Sequence, residues 1–466
     1  RWLQLASNMI LIGGCVFLAI AVCAKTALDA PWLARLERAL PWLSVTLLLG
    51  LLGLLAVTTA QATGVAENAW RPGAWLELLQ KTRIGLIWTV RAALALILFG
   101  VALYVRFSSR ARWQYVLCAT TAALTVAAGS LASHSAADEL SVTSVLPYAL
   151  HIILASVWFG GLPAFLTALF AATGKRSHGE ADRSGIQILK RFSAMALPVM
   201  IAVVATGIIV ADRMVDTSYA SLVATSYGWF LNTKLALLAV ILMIAARARL
   251  VWLPSLGQSE DVAAAGGRGL RRWVTVEVVL AFVLVLVATV LANAVPAKHD
   301  VIENWPYPFR FSIDATWGQL SVMIRAGVGV ALLVLAGGTV ALGWTKRWET
   351  KWRIAIPAVL AACALAVALP PLAVQAYPET YRKTPVPFDA ISVANGVTLF
   401  AANCVACHGP QAKGNGVRAK ELAKQPVDLL TEPHTALHTA GDFFHWLTYG
   451  IPGTGMPEFS DELSEE

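Results

Sequence analysis

Cys404-Val405-Ala406-Cys407-His408 is a C-x-x-C-H near the far end of a largely apolar chain, and Ile451-Pro452-Gly453-Thr454-Gly455-Met456-Pro457 follows it. Two thiols separated by two residues can each add to a vinyl group of one haem, and the adjacent imidazole then falls under the iron as a fifth ligand. Met456, held in a Gly/Pro-rich loop that cannot become helix, offers a thioether as the sixth ligand; a Met/His pair raises the haem potential towards that of an electron carrier. A thioredoxin-like dithiol wants a strand-to-helix context, and a zinc site wants two further ligands at matching spacing; neither accompanies this stretch. The pattern predicts one covalent haem c on Cys404 and Cys407 with His408 and Met456 as axial ligands. His434, His438 and His445 are rival sixth ligands, but none lies in a comparable loop.

Residues from about 394 to 466 resemble a class I c-type cytochrome. Asn395-Gly396 and Phe400 stand where that family's N-terminal helix packs, and the loop ending in Met456-Pro457 is similar to its axial-methionine loop. The family closes its fold with a C-terminal helix. Ser464-Glu465-Glu466 reads as the N-cap and first acidic residues of such a helix, and the chain begins at Arg1, so the sequence is expected to be cut at both ends.

With 466 residues, 57% of them hydrophobic and 14% charged, the composition is that of a polytopic membrane protein. The net charge of +8 does not point to nucleic acid, because the basic residues sit between apolar runs and not on one face. About ten spanning helices are expected, near 3–24, 42–63, 84–105, 113–134, 145–171, 193–213, 230–252, 273–295, 319–344 and 353–376, each close to the roughly 20 residues a bilayer needs. Basic residues concentrate in alternate connections: Arg106 to Arg112, Lys175 to Arg191, Arg247 to Arg272, and Lys346 to Arg353. The positive-inside rule puts these in the cytoplasm and leaves the tail after Tyr377 outside, where c-type haem is attached. The fold class is therefore all-α, a membrane helix bundle bearing a small all-α haem domain. Residues 64–83, with Trp70 and Trp75, read as an outer interfacial segment, and the Pro-rich stretch 377–391 as a tether.

The bundle looks duplicated. Thr82-x-x-Gly85-x5-Arg91 reappears as Thr225-x-x-Gly228-x5-Lys234; Gln4 precedes Gly13-Gly14 as His151 precedes Gly160-Gly161; Leu131-Ala132 ends one helix as Leu291-Ala292 ends another. Copies of a four-helix unit would be parallel repeats, an arrangement that builds a site between halves. The imidazoles are not duplicated. His134 closes one helix and His151 opens the next across a short outer loop carrying Asp138 and Glu139, so both rings are expected at similar depth. Such a pair could bind copper or ligate a b-type haem, or form a structural hydrogen-bonded pair.

The segment Leu150-His151-Ile152-Ile153-Leu154-Ala155-Ser156-Val157-Trp158-Phe159-Gly160-Gly161-Leu162-Pro163, preceded by Ser133-His134-Ser135, resembles the CopD copper-resistance membrane domain. Trp305-Pro306-Tyr307-Pro308-Phe309-Arg310 is similar to an outer-loop pattern of its cytochrome-fused members. The resemblance implies a copper-handling inner-membrane protein, with His134 and His151 as candidate copper ligands. The implied domains are a CopD-like part over 1–318, two further spans over 319–376, the tether, and the cytochrome over 392–466. Implied partners are the bilayer, the copper ion, and a periplasmic or membrane redox partner such as an oxidase, a cytochrome or a cupredoxin. An electron carrier or transporter fits better than a stand-alone enzyme, the alternative being a membrane-anchored respiratory electron-transfer subunit or an integral oxidoreductase. Arg91 and Lys234 are expected to snorkel outward. Glu277 is expected to pair with Arg271 or Arg272, or to serve an ion or proton path with Asp138 and Glu139. Cys15, Cys23, Cys118 and Cys363 read as small buried hydrophobes.

Overall fold

The computed structural model describes residues 1–23, 30–132, 142–173, 180–215, 220–256, 258–431 and 435–464. The described residues are almost wholly helical and fall into two units, Arg1–Asp216 with Ser226–Lys298, and Thr217–Thr225 with His299–Glu466.

The first unit holds α1 (Trp2–Ala21), α2 (Pro31–Thr63), α3 (Pro72–Lys81), α4 (Arg83–Phe107), α5 (Arg112–Ser130), α6 (Val142–Ala172), α7 (Glu180–Asp212), α8 (Ser226–Arg247) and α9 (Glu260–Leu291). Local chemistry sets several ends. Pro31 opens α2, Gly64 closes it at a φ of 68°, and the Thr82 hydroxyl accepts the Gly85 N–H at 2.9 Å to start α4. The interfacial stretch forms a 3-10 turn, Ala66–Trp70, and the short α3, with Trp70 80% exposed.

The centre of this unit is α1, fourteen of whose twenty residues are buried. It packs on α2, α5 and α6. Its crossing with α6 is made by the two glycine pairs matched in the sequence: a Cβ on Gly13 would lie 2.2 Å from the Gly161 nitrogen, and one on Gly160 would lie 1.8 Å from the Met9 carbonyl oxygen. Only glycine allows the backbones this close, which is how membrane helices gain contact without a hydrophobic drive between them. Phe17, Trp32, Tyr115, Phe165 and Phe192 fill the space on one side of the crossing, and Met9, Trp158, Phe159 and Ile241 the other.

Nine helices among the described residues are long and apolar enough to span a bilayer. The expected tenth, α5, is a helix of nineteen residues, about 28 Å long. Gln114, Thr120, Thr121 and Thr125 lower its apolarity, and it packs between α1, α4 and α6. At the Arg-rich end of this bundle Glu37, 5% exposed, accepts from Arg110 Nε at 3.0 Å and Nη2 at 3.0 Å and from the Tyr115 hydroxyl. This buried pair ties α2 to the α4–α5 connection and satisfies an acid that would otherwise be strongly destabilising there.

In the second unit α10 (Leu320–Thr345) and α11 (Thr350–Ala368) lie side by side, Gly329 against Ala364 and Ala368. A short addition to the all-α expectation joins their ends: β1 (Phe309–Phe311) pairs antiparallel with β2 (Ala373–Gln375), Arg310 opposite Val374. Beyond them come α12 (Ala390–Asn403), the single turn α13 (Val405–His408) and α14 (Ala440–Tyr449). Asp389 caps α12 through the Ile391 and Ser392 N–H groups, yet α12 buries none of its residues, and Ile391 and Val397 are exposed.

The first six residues of the Pro-rich stretch are packed, which a free tether would not be. The Tyr377 ring stacks on His445 with centroids 4.1 Å apart and its hydroxyl accepts from Trp446 Nε1 at 3.0 Å. Thr380 donates to Asp442, Thr439 donates to the Thr380 carbonyl, and Arg382 lies 4.1 Å over the Phe444 ring. The strip is held from the other side as well, since Trp305 N–H donates to the Pro378 carbonyl at 2.7 Å. Composition suggested a flexible linker, but Tyr377, Thr380 and Arg382 supply the specific contacts.

Two outcomes follow from these contacts. Gly160→Ala should lower the melting temperature in detergent, read by helix circular dichroism, with a destabilisation of about 1–3 kcal/mol. Gly14→Ala, which meets nothing within 4 Å, should leave it unchanged. Burial of the Asp442 carboxyl pushes its proton affinity up, but hydrogen bonds from His438, Thr380 and the Thr439 N–H outweigh that and hold it below the usual aspartate range. A carboxyl depressed in this way stabilises the docked strip above its ordinary pKa of about 3.9 and loses that contribution as the pH falls through its lower folded value. Amide protection across Tyr377–Arg382, corrected for the intrinsic exchange rate at each pH, should therefore fall on acidification, and Asp442→Asn should abolish that fall.

Candidate functional site

The haem-type pentapeptide begins where α12 ends. Cys404 caps α13, whose one turn carries Val405–His408 and stops at Gly409, φ 76°. His408 N–H donates to the Cys404 carbonyl at 2.8 Å, so the two cysteines, three residues apart, lie on one face of the turn. Both thiols are free and half-buried. The following loop folds back onto the turn: Gly414 N–H donates to the His408 carbonyl at 2.8 Å, Gly416 to Cys407 at 3.0 Å and Arg418 to Ala406 at 2.9 Å. Gly416 has to be glycine, since a Cβ would sit 2.4 Å from the Ala406 carbonyl oxygen.

His408 is half-buried, and its Nδ1 is enclosed without a hydrogen-bond partner. Burial lowers its proton affinity against a weaker opposing pull from the Val427 backbone, so the ring is neutral at pH 7 and keeps the lone pair an iron ligand needs. Burial raises the Cys404 thiol, with Cys407 adding to the effect, so Cys404 is not the low-pKa thiolate of a redox dithiol. Met456 is half-buried in the loop after α14, which Gly450 enters at a φ of 69°. Ile451 N–H donates to the Met456 carbonyl at 3.2 Å, Met456 N–H to Thr454 Oγ1 at 3.2 Å, and Gly455 lies against Leu422. Paired thiols, a neutral imidazole with an enclosed spare nitrogen and a loop-held thioether fit a haem c. The rival imidazoles are engaged elsewhere: His438 Nδ1 lies 3.2 Å from Asp442, and His445 Nδ1 lies 2.8 Å from Glu379. His434 lies outside the described residues.

In the bundle His151 is half-buried on α6, its Nδ1 3.0 Å from the Val203 carbonyl and 3.2 Å from Thr206 Oγ1 on α7. A carbonyl accepts only, so Nδ1 carries the proton and Nε2 is left with its lone pair. Gly207 leaves room for the ring, since a Cβ there would meet Cε1 at 3.1 Å. His134, Asp138 and Glu139 lie outside the described residues. Among the described residues no group of three His, Cys, Asp or Glu side chains is placed to hold a metal ion.

Two expectations about charges are corrected. Glu277 is buried on α9, but Arg271 donates to the Thr173 carbonyl and Arg272 lies over the Trp273 ring. Partners five or six residues apart on a helix point to different faces, so neither arginine reaches it. Glu277 lines a cavity with Trp158, Phe165 and Arg249 instead. Arg91 turns inward, donating to Gln4 Oε1 at 2.8 Å beside Gly129, and so does not snorkel. Its repeat equivalent Lys234 bears electrostatically on His151, the equivalent of Gln4. The Glu37–Arg110–Tyr115 cluster was not foreseen; an acid just ahead of the apolar run of α2 was its only signal.

Comparison with known proteins agrees with this layout. The family described as Copper resistance protein D-like, N-terminal domain matches residues 1–144, Copper resistance protein D matches 186–291, and Cytochrome c matches 393–466. The chain is 31% identical over 200 residues to Inner membrane protein YebZ of Escherichia coli (strain K12), covering 42% of this chain and 64% of that protein. It is 30% identical over 204 residues to Copper transport protein CutJ of Bacillus subtilis (strain 168), covering 42% of this chain and 36% of that protein. The chain thus spans less than two thirds of either relative. No solved structure matches it. The chain thus carries the two copper resistance protein D regions in its membrane part, followed by a cytochrome c region.

Proposed function

We propose that this chain is an inner-membrane copper-handling protein whose helices hold or move copper and whose periplasmic haem c exchanges electrons beside them. The observation that carries the reading is the presence, in one chain, of the family's paired membrane segments and the Cys404–His408 turn. The names of the two relatives, an inner membrane protein and a copper transport protein, support it. The basic connections support a cytoplasmic location for the Arg-rich end, with the tail after Tyr377 in the periplasm.

On this reading residues 1–318 handle copper, 319–376 carry the chain back across the membrane, and 392–466 form the haem domain. Cys404 and Cys407 form the thioethers, His408 ligates from one side and Met456 from the other. Haem held this way supplies one-electron chemistry at a raised potential. The Thr454 hydroxyl steadies the Met456 loop. In the bundle His151 presents Nε2 to copper, oriented by Val203 and Thr206, with His134 as its partner ligand. Asp138, Glu139 and Glu277 are the acids available to an accompanying ion or proton.

Acidified organic solvent should leave the pigment on the polypeptide, and Cys404→Ala/Cys407→Ala should release it; a colourless wild-type polypeptide would end the haem c reading. Met456→Ala should retain the covalent haem with a lowered midpoint potential. Cells expressing the chain should hold a different copper content from cells without it, and His151→Ala should weaken copper binding by about 10–100-fold. Equal copper with and without the chain would leave only electron transfer.

A further inference from the structure

Cys15 on α1 and Cys118 on α5 are both wholly inaccessible to solvent, and neither is in a disulfide. Both lie in one buried cluster where α1 packs on α5, and each thiol acts on the other there. A thiol pair meeting across two membrane helices needs an explanation beyond packing, because the second repeat does without it. Gly13-Gly14-Cys15 corresponds to Gly160-Gly161-Leu162, and the match of Leu131 with Leu291 carries Cys118 onto Val278. Leu162 and Val278 lie in one apolar cluster, so aliphatic side chains fill the equivalent place.

The surroundings are polar for a bundle interior. Gln114, one turn from Cys118 on α5, is 1% exposed and its Oε1 has no partner. Asn8, two turns from Cys15 on α1, is 1% exposed with Oδ1 unpartnered, and Thr125, two turns beyond Cys118, is fully buried. An unsatisfied amide inside a membrane bundle is destabilising and marks a route or a site. Asn8, Gln114 and Thr125 are thus buried polar groups on the two packed helices that carry the thiols, and Cys15 and Cys118 are the one cysteine each of α1 and α5.

We infer that Cys15 and Cys118 are a two-coordinate Cu(I) site within the first repeat, on the route by which the bundle passes copper. Soft thiolates in an apolar enclosure select Cu(I) over harder ions. Binding is a ligand exchange with no change of oxidation state: two S–H bonds break, two Cu–S bonds form, two protons go to water, and the complex carries one negative charge. The route rests on the copper-handling function proposed above, whereas the site itself can be tested without it.

The test is a titration of the full-length, haem-loaded protein, its free thiols reduced, with Cu(I) against bicinchoninate as a coloured competitor. It is compared with Cys15→Leu/Cys118→Val, which installs the side chains of the second repeat, with Cys15→Ser/Cys118→Ser, and with Cys23→Ser/Cys363→Ser as a control. Wild type and control should withhold one Cu(I) more per chain than either pair variant and show an ultraviolet thiolate-to-copper band; the pair variants should bind on the order of 100-fold more weakly. Unchanged copper in a pair variant with native melting and haem spectrum overturns the site. Should neither pair variant fold, copper-edge absorption of the wild type decides: two sulfur scatterers uphold the site, nitrogen and oxygen alone overturn it. Copper content of expressing cells separates site from function. A wild-type effect lost in Cys15→Leu/Cys118→Val places the thiols on the route, an effect kept in full by that variant overturns the placement, and no effect in wild type overturns the function while the titration still decides the site.

Discussion

The close approach of α1 to α6 is the constraint on which the first unit depends. Gly13 and Gly160 let two backbones touch at a point where any side chain would collide. Everything else in that unit is arranged around the contact: aromatic rings fill the flanks, α5 and α2 complete the wrapping of α1, and α7 packs along α6. The crossing sets Gly13 against Gly160 and Gly161, positions that match in the sequence pattern.

The two matched sequence patterns share a spacing and differ in their chemistry. One half sets Arg91 against Gln4, and the other sets Lys234 near His151. A cation near a neutral polar group is preserved while the group becomes an imidazole, the residue type that binds metals. The first half carries a thiol pair where the second carries Leu162 and Val278.

What could be read from the chain depended on how far apart the cooperating residues are. The Cys404–His408 turn and the Met456 loop were legible because their chemistry is set by spacing within a few residues. The glycine pairs were visible as a repeated pattern, but their mutual contact was not, since pattern matching does not say which faces meet. Glu37 and Arg110 are seventy-three positions apart, beyond any local rule. Glu277 was given the wrong partners because nearness in sequence was taken for nearness on a helix, where five or six residues turn the side chain away. The strip after Tyr377 was read by its prolines, while its conformation is set by α14, some sixty residues further on.

That strip has a consequence for how α14 is carried. A domain on a slack leash samples many orientations and can meet several acceptors in turn. Here Tyr377 to Arg382 form an anchored brace, gripped by α14 on one side and by Trp305 on the other. The strip thus couples two segments far apart in the chain, and a change at Trp305 is felt at α14 through Pro378, Tyr377 and Thr380.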